Sequence, residues 1–267
     1  MTTTETDIKV AVGELFTVGA HYGYPKARRH PTTKKYIFGV KNNVEIFDLE
    51  KTAEALNEAC AFVENLAATG KKVLFVGGKR EAQTAISSAA ILAGAPFVAG
   101  RWVGGTLSNF DIIHKRVEKL LTLSDEREKG TLTKYTKKER LMIDRQIKRL
   151  DEMFGGIRTL SHLPGAMVIV DPQFEKIARA EALMLKIPII ALSNSDCDVR
   201  DITYVVPCND ASIGTITYVI DRIAKAYSTG SKRVPAKAAM PERKPVAPDE
   251  RPARRGARVA PTHVAKK

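Results

Sequence analysis

Cysteine is scarce in this chain: there are three, Cys60, Cys197 and Cys208. An odd, sparse set makes a poor disulfide framework and suits a reducing cytoplasm. No stretch approaches the roughly 20 apolar residues needed to cross a bilayer, so no membrane span is expected. The polar start MTTTETD has no apolar run behind it, so no secretory signal is expected either. Catalytic signatures are also missing. There is no H-E-x-x-H, no C-x-x-C and no G-x-S-x-G elbow. The loop GGKREAQ after KVLFV has neither the G-x-G-x-x-G nor the G-x-x-x-x-G-K-[ST] spacing of nucleotide folds.

What is abundant is positive charge. The 267 residues carry a net +13, which suits a polyanionic partner such as nucleic acid or an anionic membrane face. The excess is uneven. From Ser228 onward there are 11 Lys or Arg against 3 acidic residues, which leaves only +5 to residues 1–227. Any nucleic-acid contact in the globular part must therefore come from local patches. The stretch 228–267 is rich in Pro, Ala, Lys and Arg and almost free of large apolar side chains. It cannot bury enough surface to offset its ordering entropy and reads as a basic disordered tail. Attraction to RNA phosphates and plain solubilisation are both open for it.

Between these limits the pattern is that of a folded domain. Residues 8–18 read as a short helix, GAHYGYPKARRHP as a loop, and KYIFGV and VEIFDL as short strands. Leu49, Ala53, Leu56, Cys60, Val63 and Leu66 recur at three or four, the stripe of one helix ending near Gly70. KVLFVGG, AMVIVD and IPIIAL are continuous apolar runs, as in strands buried on both faces. They alternate with the helical segments EAQTAISSAAILAG, FEKIARAEALMLK and SIGTITYVIDRIAKAY, with APFVAG and TYVVP as further strands. Alternation from residue 44 onward predicts an α/β fold with a parallel sheet and helices on both faces.

Residues 106–157 break that rhythm. Leu107, Phe110, Ile113, Val117, Leu120 and Leu121 make one narrow stripe. Leu141, Ile143, Ile147, Leu150 and Phe154 make a second, opened by the capping-box spacing Thr136 to Glu139 and closed by Gly155-Gly156. Two charged, amphipathic helices joined by a turn predict an inserted, coiled-coil-like antiparallel hairpin, with two ordinary surface helices as the alternative. The expected organisation is an α/β body of 8–105 and 158–227, the hairpin 106–157, and the tail 228–267.

The basic patches are the most informative candidates. Lys26, Arg28, Arg29, Lys34 and Lys35 crowd a loop that also holds His21, Tyr22, Tyr24 and His30. Cations neutralise phosphates there while aromatics stack on unpaired bases. A second cluster is Lys79, Arg80, Arg101 and Trp102. RNA contact is expected for Arg101 and packing for Trp102, the single tryptophan. The pair Gly77-Gly78 before Lys79-Arg80 suits a phosphate, in a small ligand or an RNA backbone, and suits a tight strand-to-helix turn equally. Asp171, Asp196, Asp198 and Asp201 lie near strand ends, where turn and cap roles outweigh an acidic active site. A metal held by His21 and His30, or by Cys197 and Cys208, is less expected than unmetallated core and loop roles.

Several blocks together resemble one family. GAHYG, KKYIFG with NNVEIFDLEKT, KVLFVGGKREA, RWVGGTLSNF, TKKERLM, LPGAMVIVD, KIPIIALSNSDCD and VVPCNDAS look like the second protein of the small ribosomal subunit, bacterial type. The match runs in order from about Ile8 to Tyr227. The resemblance implies a flavodoxin-like α/β domain with a protruding helical hairpin, no enzymatic activity and no cofactor. It implies a monomer seated on the solvent side of the subunit, between head and body. There it would touch small-subunit rRNA and neighbouring ribosomal proteins, the large mRNA-capturing one among them, near where mRNA leaves. Asn109, in the RWVGGTLSNF block, joins the expected RNA contacts. The chain departs from the family where Tyr24 stands for a frequent histidine, in Ala27-Arg28-Arg29-His30-Pro31, and at Ser193, where Asp is common. The basic tail is not a family feature.

Overall fold

The computed structural model describes residues 5–233, with side chains from Val10 onward. The core is a parallel sheet of β4 (Val73–Val76), β5 (Phe97–Val98), β6 (Ala166–Val170), β7 (Ile189–Ser193) and β8 (Tyr204–Pro207). Its order, β5-β4-β6-β7-β8, places the first of these strands second from the edge, as in flavodoxin-like folds. The apolar runs of β4, β6 and β7 are continuous because these strands have two buried faces. Val73, Phe75, Val168, Val170, Ile190 and Leu192 point into one core. Leu74, Val76, Met167, Ile169, Ile189 and Ala191 point into the other.

Helices α1 (Glu5–Thr17), α2 (Leu49–Ala68), α3 (Arg80–Ala93) and α7 (Ile213–Ser231) cover the first face. The expected α2 stripe is there, and Leu56 and Val63 are fully buried. Asp48 caps that helix by accepting from the Glu50 N–H at 3.2 Å. Helix α7 continues past residue 228 to Ser231, so the expected tail begins later than its composition suggested. Gly230 is buried against α2, where a side chain would meet the Glu64 carbonyl, and that packing holds the last turn helical. The rest of the expected tail lies outside the described residues.

The second face is covered by α6 (Lys176–Met184) and by the near halves of α4 (Phe110–Glu128) and α5 (Lys137–Phe154). The hairpin is thus an elaborated crossover between β5 and β6. Ile113, Val117, Leu120, Ile147, Leu150 and Phe154 are buried, whereas Leu121 and Leu141 are 44% and 50% exposed. Its buried stripe shares a core with the sheet, while the leucines beside that stripe face solvent. The Thr136–Glu139 capping box is formed on both sides.

One layer was not anticipated. β1 (Tyr22–Pro25), β2 (Ile37–Lys41) and β3 (Val44–Phe47) form a separate antiparallel sheet, ordered β1-β3-β2. The segment read as a loop thus contains a strand, and β3 does not belong to the parallel alternation. Asn42 and Asn43 take φ of 50° and 62°, which makes the two-residue type I′ turn that joins β2 to β3.

At the exit of α5, a side chain on Gly156 would strike the Phe97 carbonyl of β5. Gly156→Ala reduces unfolded-state entropy, a gain of about 0.4–1 kcal/mol. It also overpacks the join, at about 1–3 kcal/mol. The expected net is a loss of about 1–2 kcal/mol, read as a lower urea midpoint at unchanged m-value.

Candidate nucleic-acid interface

An open α/β sheet offers a ligand crevice at its carboxyl edge, where the strand order reverses around β4. Here the protein's own groups fill it. The Lys79 ammonium lies 3.0 Å from Asp210 Oδ2 and 3.3 Å from Asp171 Oδ2. Asn194 Nδ2 donates to Asp210 Oδ1 at 2.6 Å. The Gly78 N–H donates to Glu175 Oε1 at 2.7 Å. Burial alone would lower the Lys79 pKa, but Asp210 and then Asp171 more than reverse this and hold it charged, well above its ordinary value.

The N-terminal segment closes over the same edge. The amides of Tyr24 and His30 donate to Ser195 Oγ and Ser195 O, at 3.1 and 2.8 Å. Thr33 Oγ1 donates to the Ser195 carbonyl at 2.8 Å. The Gly77-Gly78 turn is glycine for backbone approach. A Cβ on Gly78 would sit 2.6 Å from Glu175 Oε1 and 2.7 Å from the Gly100 carbonyl. Of the two readings left open for this turn, the tight turn is the one its geometry accounts for.

The expected basic residues divide into two groups. Lys79 faces inward, so its charge is spent on Asp171 and Asp210 rather than on a phosphate. Arg29 Nη1 lies 3.1 Å from Glu45 Oε1, whose side chain is fully buried, so Arg29 serves first to neutralise an internal carboxylate. The others face solvent. Lys26 and Arg28 form an exposed 3₁₀ turn over 26–28, with the Arg28 guanidinium 5.1 Å from the Tyr24 ring centre. Lys34 and Lys35 are exposed on the next turn, 31–36. Lys35 also lines a groove of about 640 Å³ with Tyr36, Lys51, Arg200 and Tyr204. Arg80 opens α3, Arg101 follows β5 and Asn109 precedes α4, all three exposed.

The residue missed from the sequence is Glu181. It is 6% exposed, on the buried face of α6 beside Ala178 and Ala182. Its carboxylate accepts from the N–H groups of Gly105 (2.7 Å), Leu107 (2.9 Å) and Ser108 (3.1 Å) and from Trp102 Nε1 (3.2 Å). Burial pushes its pKa up; these donors outweigh burial and hold it below the usual range. One carboxylate therefore shapes the whole loop that presents Arg101 and Asn109. The only hint in the sequence was a charge at helical spacing among alanines. Trp102 is buried at 5% exposure, packed as expected.

The aspartates act as turn and pair residues. Asp171 accepts from the amides of Gln173 and Phe174, both at 3.0 Å. Asp201 pairs with Arg179. The Arg200 guanidinium on Asp198 holds that carboxyl down to about 2. His21 stacks on Phe16, 4.6 Å between ring centres, and His30 caps the 31–36 turn. Cys197 and Cys208 are buried free thiols whose pKa values burial pushes up. Among the described residues no group of three His, Cys, Asp or Glu is arranged for a metal.

The family model "Ribosomal protein S2" matches residues 15–230. Curated relatives agree. The chain is 41% identical over 224 residues to small ribosomal subunit protein uS2 of Chloroflexus aurantiacus (strain ATCC 29366 / DSM 635 / J-10-fl), covering 84% of this chain and 94% of that protein. It is 43% identical to the uS2 of Roseiflexus castenholzii, over 84% and 85% of the two chains. It is 40% identical to that of Desulfatibacillum aliphaticivorans, over 84% and 76%.

A carboxylate held below its ordinary pKa stabilises the fold above the unfolded value, about 4.3. That contribution is lost as pH falls through the folded value. Glu181→Gln keeps the shape but turns an amide N–H₂ toward N–H donors. The expected outcome is a loss of about 2–4 kcal/mol at pH 7, a changed Trp102 emission and a flatter acid limb of stability against pH. Unaltered emission and melting would contradict the role given to Glu181.

Proposed function

The chain belongs to the ribosomal protein S2 family, and from that premise we propose that it binds small-subunit rRNA through the solvent-facing cations around the carboxyl edge of its sheet. As a family member it is a structural constituent of the small ribosomal subunit, with rRNA and other ribosomal proteins around it, and not an enzyme. Lys26, Arg28, Lys34, Lys35, Arg80 and Arg101 carry the phosphate contacts in this reading, with Asn109 as a neutral hydrogen-bonding partner. Lys79 and Arg29 support them from inside.

The observation that carries the proposal is the division of charge. The inward cations are matched by Asp171, Asp210 and Glu45. Lys26, Arg28, Lys34, Arg80 and Arg101 are exposed and make no ion pair with a carboxylate among the described residues. A surface of that kind suits a folded polyanion read by shape and backbone rather than by sequence. The finer assignment follows from the family: a cytoplasmic protein seated between head and body that helps organise the mRNA exit region. In it, the body of 8–105 and 158–227 with its inserted hairpin 106–157 meets the rRNA, and neighbouring ribosomal proteins, the large mRNA-capturing one among them, dock nearby. No helix among the described residues is long and apolar enough to cross a membrane.

Affinity for small-subunit rRNA is expected to fall linearly in log K with log salt. Lys26→Gln with Arg28→Gln is expected to weaken binding about equally across RNA sequences and to reduce that slope by about 1–2. Filter binding or fluorescence titration over a salt series measures both. A salt-independent affinity would overturn a phosphate-led contact.

A further inference from the structure

Three loops meet at one point on the carboxyl edge: the turn after β4, the segment after β5 and the turn after β6. Gly78 is the join, bonded through its N–H to Glu175 and leaving no room for a side chain against Gly100. The residues flanking that junction are Arg80, Arg101 and Phe174. Both arginines are exposed, and neither makes an ion pair or hydrogen bond with an acidic group among the described residues. Two carboxylates of the junction are already committed, Asp171 to Lys79 and Glu175 to the Gly78 amide.

Phe174 is 60% exposed, and Ile177, three residues on in the first turn of α6, is 58% exposed. A Cβ on Gly104 would lie 4.0 Å from Ile177 Cγ2, so Ile177 borders the loop that carries Arg101. The outward aromatic is not the product of a slack loop. Asp171 sits at φ 58°, a left-handed backbone unusual for a residue with a side chain. Its carboxylate grips the amides of Gln173 and Phe174, and its carbonyl accepts from Phe174 at 3.1 Å. A strained, internally bonded turn therefore holds a phenyl ring in solvent, next in sequence to the Glu175 that bonds Gly78, on the junction whose other two loops carry Arg80 and Arg101. The π-face suits a nucleobase and the flanking cations suit the phosphates on either side of it. An apolar peptide would cover the ring but leave both arginines unmatched.

We propose that Phe174, on the loop junction that also carries Arg80 and Arg101, is a stacking platform for one unpaired nucleotide of the small-subunit rRNA. This rests on the RNA-binding reading above. Neither the charge pattern nor the aromatic-rich N-terminal loop had drawn Phe174 into the interface.

The test uses the full chain and small-subunit rRNA at one fixed salt concentration, with Phe174→Ala, Phe174→Leu and Phe174→Tyr. Stacking predicts that Ala and Leu each weaken binding about five- to a hundredfold while Tyr retains it. Unchanged Trp102 emission in each variant establishes that the fold is intact. Ultraviolet crosslinking of assembled small subunits is expected to leave a nucleotide adduct on the peptide containing Phe174. If the wild type binds rRNA and Phe174→Ala binds as well, the platform is wrong and the RNA reading stands. If Leu restores binding as fully as Tyr, or the crosslink joins Phe174 to another protein, the contact is apolar docking and the platform is again wrong. If the wild type binds no rRNA, both readings fall together.

Discussion

An ammonium enclosed by two carboxylates at the carboxyl edge of the sheet sets what this protein presents to its surroundings. Lys79 takes charge from β4, Asp171 from β6 and Asp210 from beyond β8, so a single ion cluster ties three strands at the place where related folds hold a ligand. Desolvating such charges costs several kcal/mol per ion, offset only by close geometry and by further donors such as Asn194. Once formed, the cluster is costly to break, since losing one member strands buried charge, at about 3–5 kcal/mol. The crevice is consequently filled, and the exposed cations lie on its rim.

The rim is built on the same principle. Arg29 neutralises Glu45 inside the antiparallel sheet and so fixes the turn that carries Lys26 and Arg28. Glu181 gathers four N–H donors and so fixes the loop that carries Arg101 and Asn109. In each case an internal ion organises a loop whose outward cations stay unmatched. Holding those cations on loops already ordered reduces the entropy lost when a polyanion docks. Under the proposed function, that is how a body of small net charge would grip RNA. The strained Asp171 turn extends the arrangement to an aromatic ring.

Much of the fold was legible. The runs VLFV, AMVIV and IIAL are apolar at every position because both sheet faces are buried, and no surface helix has that pattern. The Thr136–Glu139 cap and the glycines after Phe154 marked the second hairpin helix correctly. The antiparallel sheet was harder to see. YGYP contains a proline and a glycine, and its pairing with β3 spans some twenty residues rather than a tight turn. Leu121 and Leu141 fit their stripes yet are exposed while Leu120 and Ile147 are buried, because the buried face of each helix is narrower than the stripe.

For the site, residue order alone determined which segments are cationic, that the body is α/β and that one crossover is elaborated into a hairpin, since periodicity and composition are local properties. Only the tertiary structure decided that Lys79 and Arg29 face inward while Arg80 and Arg28 face out, that Glu181 anchors a loop some seventy residues away, and that Phe174 is exposed on the turn bonded to Gly78. The reason is electrostatic and steric. The energy of a charge depends on its distance to a partner and on the dielectric around both. Here those are set by loops 90 to 130 residues apart in the chain, brought within hydrogen-bonding distance by the packing of the sheet.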